Sequence, residues 1–259
     1  MPHLKSSLPI EVLIISFDGY ADVWDLCISS FFKFWPDCPF KINLLTNWKQ
    51  YPDERIRSLC VGQDEDWSSN LTKGLQAVNS PYVLTLFDDL ILKERIDNDK
   101  IIEFVRTCIL HQYNYFRLRP SPPPDGKEFL EYGSLKPGAS YRVSLCTAIV
   151  KTETLLSLLL SGENAWDFEK YASLRSAHLS GFYSARQHVI PYYNAIEKGK
   201  WNKSVLPILK ERRMSWEHRG IFQKREKFNP FGPIKHFIVF TIMPVYIRKL
   251  FYHLQKKLE

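Results

Sequence analysis

Two stretches of this chain are apolar almost throughout, IEVLIISF at 10–17 and YVLTLF at 82–87. A strand with one wet face alternates apolar and polar residues, so runs of this kind need cover on both faces. Helical spacing fills the gap between them. Ala21 to Phe34 reads as a helix stopped by Trp35-Pro36, and a second helix runs through Leu71, Leu75 and Val78 with Asp66 or Ser68 as its cap. Phe40 to Leu45 reads as a second strand ending at Thr46-Asn47, and Arg57 to Val61 as a short third one closed by Gly62. Strand and helix alternate, which points to a mainly parallel sheet wrapped by helices.

Beyond residue 90 the pattern loosens. Ile101 to Gln112 reads as a helix, Tyr115 to Leu118 as a strand, and Pro120 to Gly138 as a long Pro/Gly-rich loop of the kind that folds over a substrate. Tyr141 to Val150 is expected to be a strand and Lys151 to Leu160 a helix. The acidic and aromatic patch ENAWDFEKY (163–171) leads into a helix to about His178, and a further strand is expected at Val189 to Tyr193.

The length of 259 residues suits one large α/β domain with a tail. The net charge of +7 is unevenly spread: residues 200–259 carry 14 Lys/Arg against 4 Asp/Glu, whereas residues 1–199 carry 21 against 24. A nucleic-acid binder would be expected to carry its excess on the folded body, so that class is disfavoured. Cys27, Cys38, Cys60, Cys108 and Cys146 form no C-x-x-C pair, which favours buried free thiols in a reducing compartment. Met1 to Pro9 shows no secretory signal.

The run at 82–87 continues into Asp88-Asp89 with no break. At the carboxyl edge of an open α/β sheet ligands bind, and hard oxygen ligands there suit a divalent ion carrying phosphates. The plainer alternative is a pair of solvated or capping acids.

Four places together resemble the nucleotide-sugar glycosyltransferases of the GT-A fold, particularly the bacterial family-2-like enzymes that build surface polysaccharides. They are Ser16-Phe17-Asp18 at the end of the first strand, DWSSNLTKGLQAVNSPYVLTLFDD (66–89), AWDFE (165–169) and NAIEKGKW (194–201). The resemblance implies a GT-A type mixed, mainly parallel central sheet flanked by helices (Rossmann-like) over residues 1–205. About 1–110 would bind the nucleotide sugar and 111–205 the acceptor. It also implies Mn²⁺ or Mg²⁺ as cofactor, a nucleotide-sugar donor, and a glycan or lipid-linked saccharide acceptor.

Leu90 fills the third position of the family's Asp-x-Asp motif, which leaves open which of Asp88 and Asp89 meets the metal; Asp89 is favoured, with Asp88 nearer the ribose or reaching the ion through water. Glu169 is the expected catalytic base, followed by Asp167 and then Glu163; alternatively these acids simply open a helix. Phe17, Asp18 and Tyr20 are placed to contact a nucleobase, or serve only the turn. Trp67 and Asn70 are expected near the donor, although Trp67 suits packing equally. Lys198 and Lys200 are candidates for the diphosphate, and otherwise solvated. Arg117 and Arg119 share a strand face and either meet an anionic acceptor or pyrophosphate or form an exposed basic strand face; His188 is a further candidate metal ligand, or a structural histidine. A single in-line displacement of this kind inverts the anomeric centre.

Residues 206–259 form the expected basic, amphipathic helical tail. Its segment 233–258 is too short and too interrupted to span a bilayer, and suits the inner leaflet of the cytoplasmic membrane or a docking contact, a homodimer included. The expected location is cytoplasmic, peripheral on that membrane face. A nucleotidyltransferase would share the sheet and the metal, but would open with a Gly-rich basic loop where this chain has Ser16 to Tyr20. A basic, non-catalytic membrane-binding protein is the alternative from another class.

Overall fold

A computed structural model describes residues 8–223. The elements in chain order are β1 (Ile10–Ile15), α1 (Ala21–Phe34), β2 (Ile42–Thr46), β3 (Ile56–Cys60), α2 (Trp67–Ala77), β4 (Tyr82–Phe87), β5 (Leu90–Leu92), α3 (Asn98–Leu110) and β6 (Tyr115–Arg117). There follow β7 (Tyr132–Ser134), β8 (Thr147–Lys151), α4 (Thr152–Leu158), α5 (Ala165–Arg175), β9 (Phe182–Ala185), β10 (Tyr192–Asn194), β11 (Ile196–Glu197), β12 (Lys200–Trp201) and α6 (Leu206–Glu211).

Eight strands make the central sheet in the order β3-β2-β1-β4-β8-β6-β9-β7. Pairing is parallel from β3 through β4 and between β6 and β9, and antiparallel where β8 meets β4 and β6 and where β7 meets β9. This is the mixed, mainly parallel α/β sheet expected from the unbroken apolar runs. Alternate residues of β1 serve two cores: Ile10, Val12 and Ile14 pack with α1 and α3, while Leu13 and Ile15 pack with α2, α4 and α5. Both faces are therefore dry, and every β1 position is buried. On the second face α2 lies close on β2, where a Cβ added at Gly74 would come within 2.6 Å of Leu45 Cδ1.

Several boundaries differ from the expectation. The strand expected at 141–150 begins only at Thr147, because Arg142 and Val143 are drawn toward α5. Arg142 is buried, donates to the Ser176 and Leu179 carbonyls, and lies 3.9 Å from the Phe182 ring centroid; the Val143 N–H donates to Ser173 Oγ at 3.0 Å. The strand expected at 189–193 lies at Tyr192–Asn194 and pairs with β5. Three short strands, β5, β7 and β9, carried too little local pattern to be read. Cys60 is exposed, contrary to the expectation of buried thiols, although all five cysteines are free.

Residues 206–223, assigned from sequence to the tail, pack on the body: Leu209 is buried and Leu206, Ile208, Met214 and Trp216 lie against the first core. Phe222 N–H donates to Trp201 O at 2.8 Å, and Trp201 N–H donates to Gly220 O at 3.0 Å. Residues 224–259, with the expected membrane or dimer contact, lie outside the described residues. Among the described residues no helix is long and apolar enough to cross a membrane.

Candidate active site

Parallel pairing puts the ends of β1, β2, β4 and β6 at one edge, joined by the start of antiparallel β8. Phe17 and Asp18 follow the end of β1, Asp88 and Asp89 follow the end of β4, and Glu169 shares a cavity with Arg117 and Thr147.

Asp88 and Asp89 form the turn between β4 and β5, so the acidic pair sits between two buried strands. Asp88 is only 6% exposed. Its Oδ2 accepts a hydrogen bond from Ser16 Oγ, which in turn accepts from Trp24 Nε1 at 2.6 Å. Burial raises the Asp88 carboxyl well above the usual range, against the Ser16 hydrogen bond, and the neighbouring Asp89 charge raises it further. Burial likewise lifts Asp89 to about 6, opposed by its own N–H and that of Ile196. The Ala195 N–H donates to the Asp89 carbonyl at 2.7 Å, which fixes the β11–β12 hairpin against the pair. No cationic side chain forms an ion pair with either acid among the described residues.

That environment bears on the expected metal. Among the described residues no three His, Cys, Asp or Glu side chains gather as a cage. One or two hard carboxylates are nevertheless a suitable donor set for an ion whose other oxygens come from phosphates. One buried and one half-buried carboxyl, both with raised proton affinity and neither paired with a cation among the described residues, fit such an ion. His188 is exposed and stands apart from this donor set; burial first, then Arg119 and Lys93, lower its pKa.

The neighbours of the pair divide into contact surface and scaffold. Phe17 is partly exposed and lies 5.0 Å from the Tyr20 ring, with Tyr20 in turn under the Arg219 guanidinium at 4.5 Å. The Asp18 carboxylate accepts from the N–H groups of Asn47 (2.9 Å), Trp48 (3.0 Å) and Lys49 (3.1 Å), clamping the loop after β2 to the turn after β1. Trp48 is thereby presented with 71% of its surface exposed. Lys198 and Lys200 flank Gly199 at the exposed hairpin tip, where Lys198 (φ 51°) and Gly199 (φ 76°) are both left-handed, as a two-residue hairpin turn requires.

Arg219 was not read from sequence. It forks onto Asp22 with His218 beside it, and its Nη2 donates to Gly19 O at 3.2 Å. Burial works to raise Asp22, but the hydrogen bonds from Arg219 and His218 hold it below its usual value. This clasp pins 216–223 over the turn that carries Phe17 and Tyr20.

Trp67 packs between Phe168 (5.3 Å) and Phe87 (6.5 Å), tying α2 and α5 to the end of β4. Asn70 is buried, gives Nδ2 to Asp64 Oδ1 at 2.5 Å, and has no partner for Oδ1 among the described residues. Both sit on the second core face.

Glu169 occupies a different pocket at the same edge. A cavity of about 180 Å³ is lined by Arg117, Arg119, Ser121, Tyr141, Ser144, Cys146, Thr147 and Glu169. Ser144 Oγ donates to Glu169 Oε1 at 2.6 Å. Burial raises the Glu169 carboxyl above its usual value, with Ser144 and then Arg117 and Arg119 pulling the other way. The Cys146 thiol is pushed up to about 11, by burial first and then by the charge of Glu169, with Asp89 adding to it. Cys146 and Glu169 line the same cavity. The other two candidate bases have different surroundings. Asp167 is bound by its helix cap, accepting from Asn164 Nδ2 at 3.0 Å. Glu163, only 9% exposed, forms a bidentate pair with Arg175 at 2.7 Å for each bond.

This pairing assigns Glu163 a structural role. Glu163→Ala leaves Arg175 half-buried without its partner, and is expected to cost about 2–4 kcal/mol in denaturant unfolding. Ligand affinity at the edge, measured on the folded fraction, should stay unchanged.

No family model matches the chain, and no curated protein matches it. Among solved structures it is similar to TarS 1–349 from S. aureus, at 11% identity and a TM-score of 0.44, covering 71% of this chain and 59% of that one. The same protein in complex with UDP-GlcNAc gives 12%, 0.44, 73% and 58%. The mannosyltransferase PcManGT from Pyrobaculum calidifontis, in complex with GDP-Man and Mn²⁺, gives 11%, 0.49, 74% and 58%. The chain thus spans less than two thirds of the length of each.

Proposed function

We propose that the protein is a metal-assisted glycosyltransferase that moves a sugar from a nucleoside-diphosphate donor to a glycan or lipid-linked saccharide hydroxyl, with inversion. The observation that carries this reading is the placement of two separate acidic centres, Asp88–Asp89 in the turn after β4 and Glu169 in the cavity that Arg117 and Thr147 also line. Glycosyl transfer needs two such centres: one where a departing diphosphate gathers charge, and one to take the acceptor's proton.

Asp89, with Asp88 behind it, would hold the divalent ion, which would act as a Lewis acid toward the diphosphate. Phe17, Tyr20 and Trp48 offer aromatic surface beside that centre for a base or ribose, and Lys198 and Lys200 lie on the hairpin that Asp89 anchors. Across the cavity, Glu169 receives the acceptor O–H proton at Oε2 while Ser144 holds Oε1. The acceptor oxygen bonds to C1 as the C1–O bond to phosphate breaks and its electron pair leaves with the diphosphate. Burial raises the carboxylate's basicity and keeps bulk water from competing. The tail and the resemblance to surface-polysaccharide enzymes extend the proposal to assembly at the cytoplasmic membrane face.

Incubation with a panel of nucleotide sugars and Mn²⁺, scored by nucleoside-diphosphate release, tests the reading. Release from at least one donor, lost on chelation, is expected. If no nucleotide or nucleotide sugar raises the melting temperature with metal present, the reading fails.

A further inference from the structure

We propose that the cavity beside Glu169 contains a subsite for an anionic group of the acceptor, a carboxylate or a phosphate monoester, formed by Arg119 and Thr147. That the bound molecule is an acceptor rests on the transfer reading; that the subsite is anionic rests on the cavity alone.

Two guanidinium groups reach this cavity, and neither forms an ion pair among the described residues. Arg117 gives each of its three nitrogens to a neutral partner: Nε to Ser184 Oγ at 3.2 Å, Nη1 to the Tyr141 carbonyl at 2.7 Å and Nη2 to the Pro122 carbonyl at 2.5 Å. It holds the loop after β6 and leaves its charge uncompensated. Arg119 gives only Nη1 to a partner, the Tyr192 hydroxyl at 2.6 Å, and Tyr192 lies under it at 5.3 Å. Arg119 Nε is buried with no partner among the described residues. Thr147 lines the same cavity, is 1% exposed, and its Oγ1 also lacks a partner.

A buried N–H and a buried hydroxyl left unsatisfied in one cavity are costly unless a ligand meets them. The chemistry of that ligand follows from charge. Ser144 is committed to Glu169, and the single carboxylate of Glu169 faces two guanidinium groups, so the cavity walls are net positive even with Glu169 ionised. A neutral hydroxyl would satisfy Thr147 and leave that excess; an oxyanion satisfies both, because the planar arginine fork matches carboxylate and phosphate oxygens. Tyr141, 46% exposed, lines the same cavity in a left-handed conformation (φ 50°) that Arg117 holds through its carbonyl.

Binding of D-glucuronate, D-glucose 6-phosphate and the neutral methyl α-D-glucoside is measured by calorimetry on the full chain, with nucleoside diphosphate and Mn²⁺ present. At least one charged sugar should bind more tightly than the neutral one; which of the two does so separates carboxylate from phosphate. Arg119→Gln should weaken that binding about tenfold or more, and Thr147→Val several-fold, with nucleotide affinity unchanged. Removing an unsatisfied buried hydroxyl should also raise the melting temperature of Thr147→Val by about 2–4 °C, so its weaker binding is not misfolding. Tyr192→Phe, which keeps the guanidinium, should retain the preference. Equal affinity of wild type and Arg119→Gln, no preference for charge, or displacement of the charged sugar by nucleoside diphosphate overturns the proposal. Loss of nucleotide binding with the charged-sugar preference intact would sink the transfer reading and uphold the subsite.

Discussion

Asp89→Asn is expected to abolish most turnover and at the same time to make the protein more stable above about pH 6. The stability effect follows from the raised carboxyl. Asp89 stands at about 6 in the fold against an ordinary 3.8, so the folded state binds its proton more tightly than the unfolded chain does. For an acid shifted upward, the contribution is fully present below about pH 4 and is lost as pH rises through about 6. What remains at pH 7 is a cost on the order of 2–3 kcal/mol for holding a buried carboxylate. Asparagine keeps an acceptor for the Ile196 N–H without that charge. Melting curves of the variant and wild type should coincide near pH 4 and separate by about 5–10 °C at pH 8. A constant difference across that range would show that Asp89 is not the titrating group. Turnover with a nucleotide sugar and Mn²⁺ should fall about 10²–10³-fold, the scale of losing one charge-stabilising contact in a transition state. In the wild type, metal and nucleotide together should raise the melting temperature more at pH 8 than at pH 5, since protonation removes the ligand.

The second large effect belongs to Glu169→Gln. Glutamine preserves the shape and can still accept from Ser144 Oγ, but cannot take a proton. The rate of transfer should drop about 10²–10⁴-fold with donor affinity unchanged. Wild-type rate should rise with pH through a pKa above the ordinary 4.5 of glutamate, because burial lifts Glu169, and the variant's residual rate should lack that limb. A kcat that survives the change, or a pH limb that persists, would leave Glu169 as a helix acid bonded to a serine. Asp167→Asn and Glu163→Gln are useful contrasts, since the structure ties one to Asn164 and the other to Arg175; neither should alter the pH profile.

The arrangement also separates positioning from chemistry. Asp18 was expected at the nucleobase, and in the fold its carboxylate is occupied by three backbone N–H groups. Its influence on a bound nucleotide would pass through the loop it shapes, above all Trp48. Trp67 likewise joins Phe87 to Phe168, and so couples the end of β4, which carries the acid pair, to the helix that carries Glu169.

Unbroken apolar runs, the Asp66 cap and the Trp35-Pro36 stop are local signals, because each depends on residues within a turn or a strand of one another. They were enough to announce an α/β sheet covered on both faces, the helices α1 and α2, and an acid pair at a strand end. The partners that give those acids their character come from far along the chain: Ser16 to Asp88, Ser144 to Glu169, and Arg219 to Asp22, 197 residues apart. No periodicity links such residues, and a three-residue strand such as β5 or β7 has too few positions to show one. Burial is what lifts the Asp89 carboxyl to about 6 and leaves Arg119 Nε and Thr147 Oγ1 without a partner among the described residues. Desolvation depends on everything packed around a group, so it arose only when the sheet, the loop after β6 and the segment 216–223 closed around one edge.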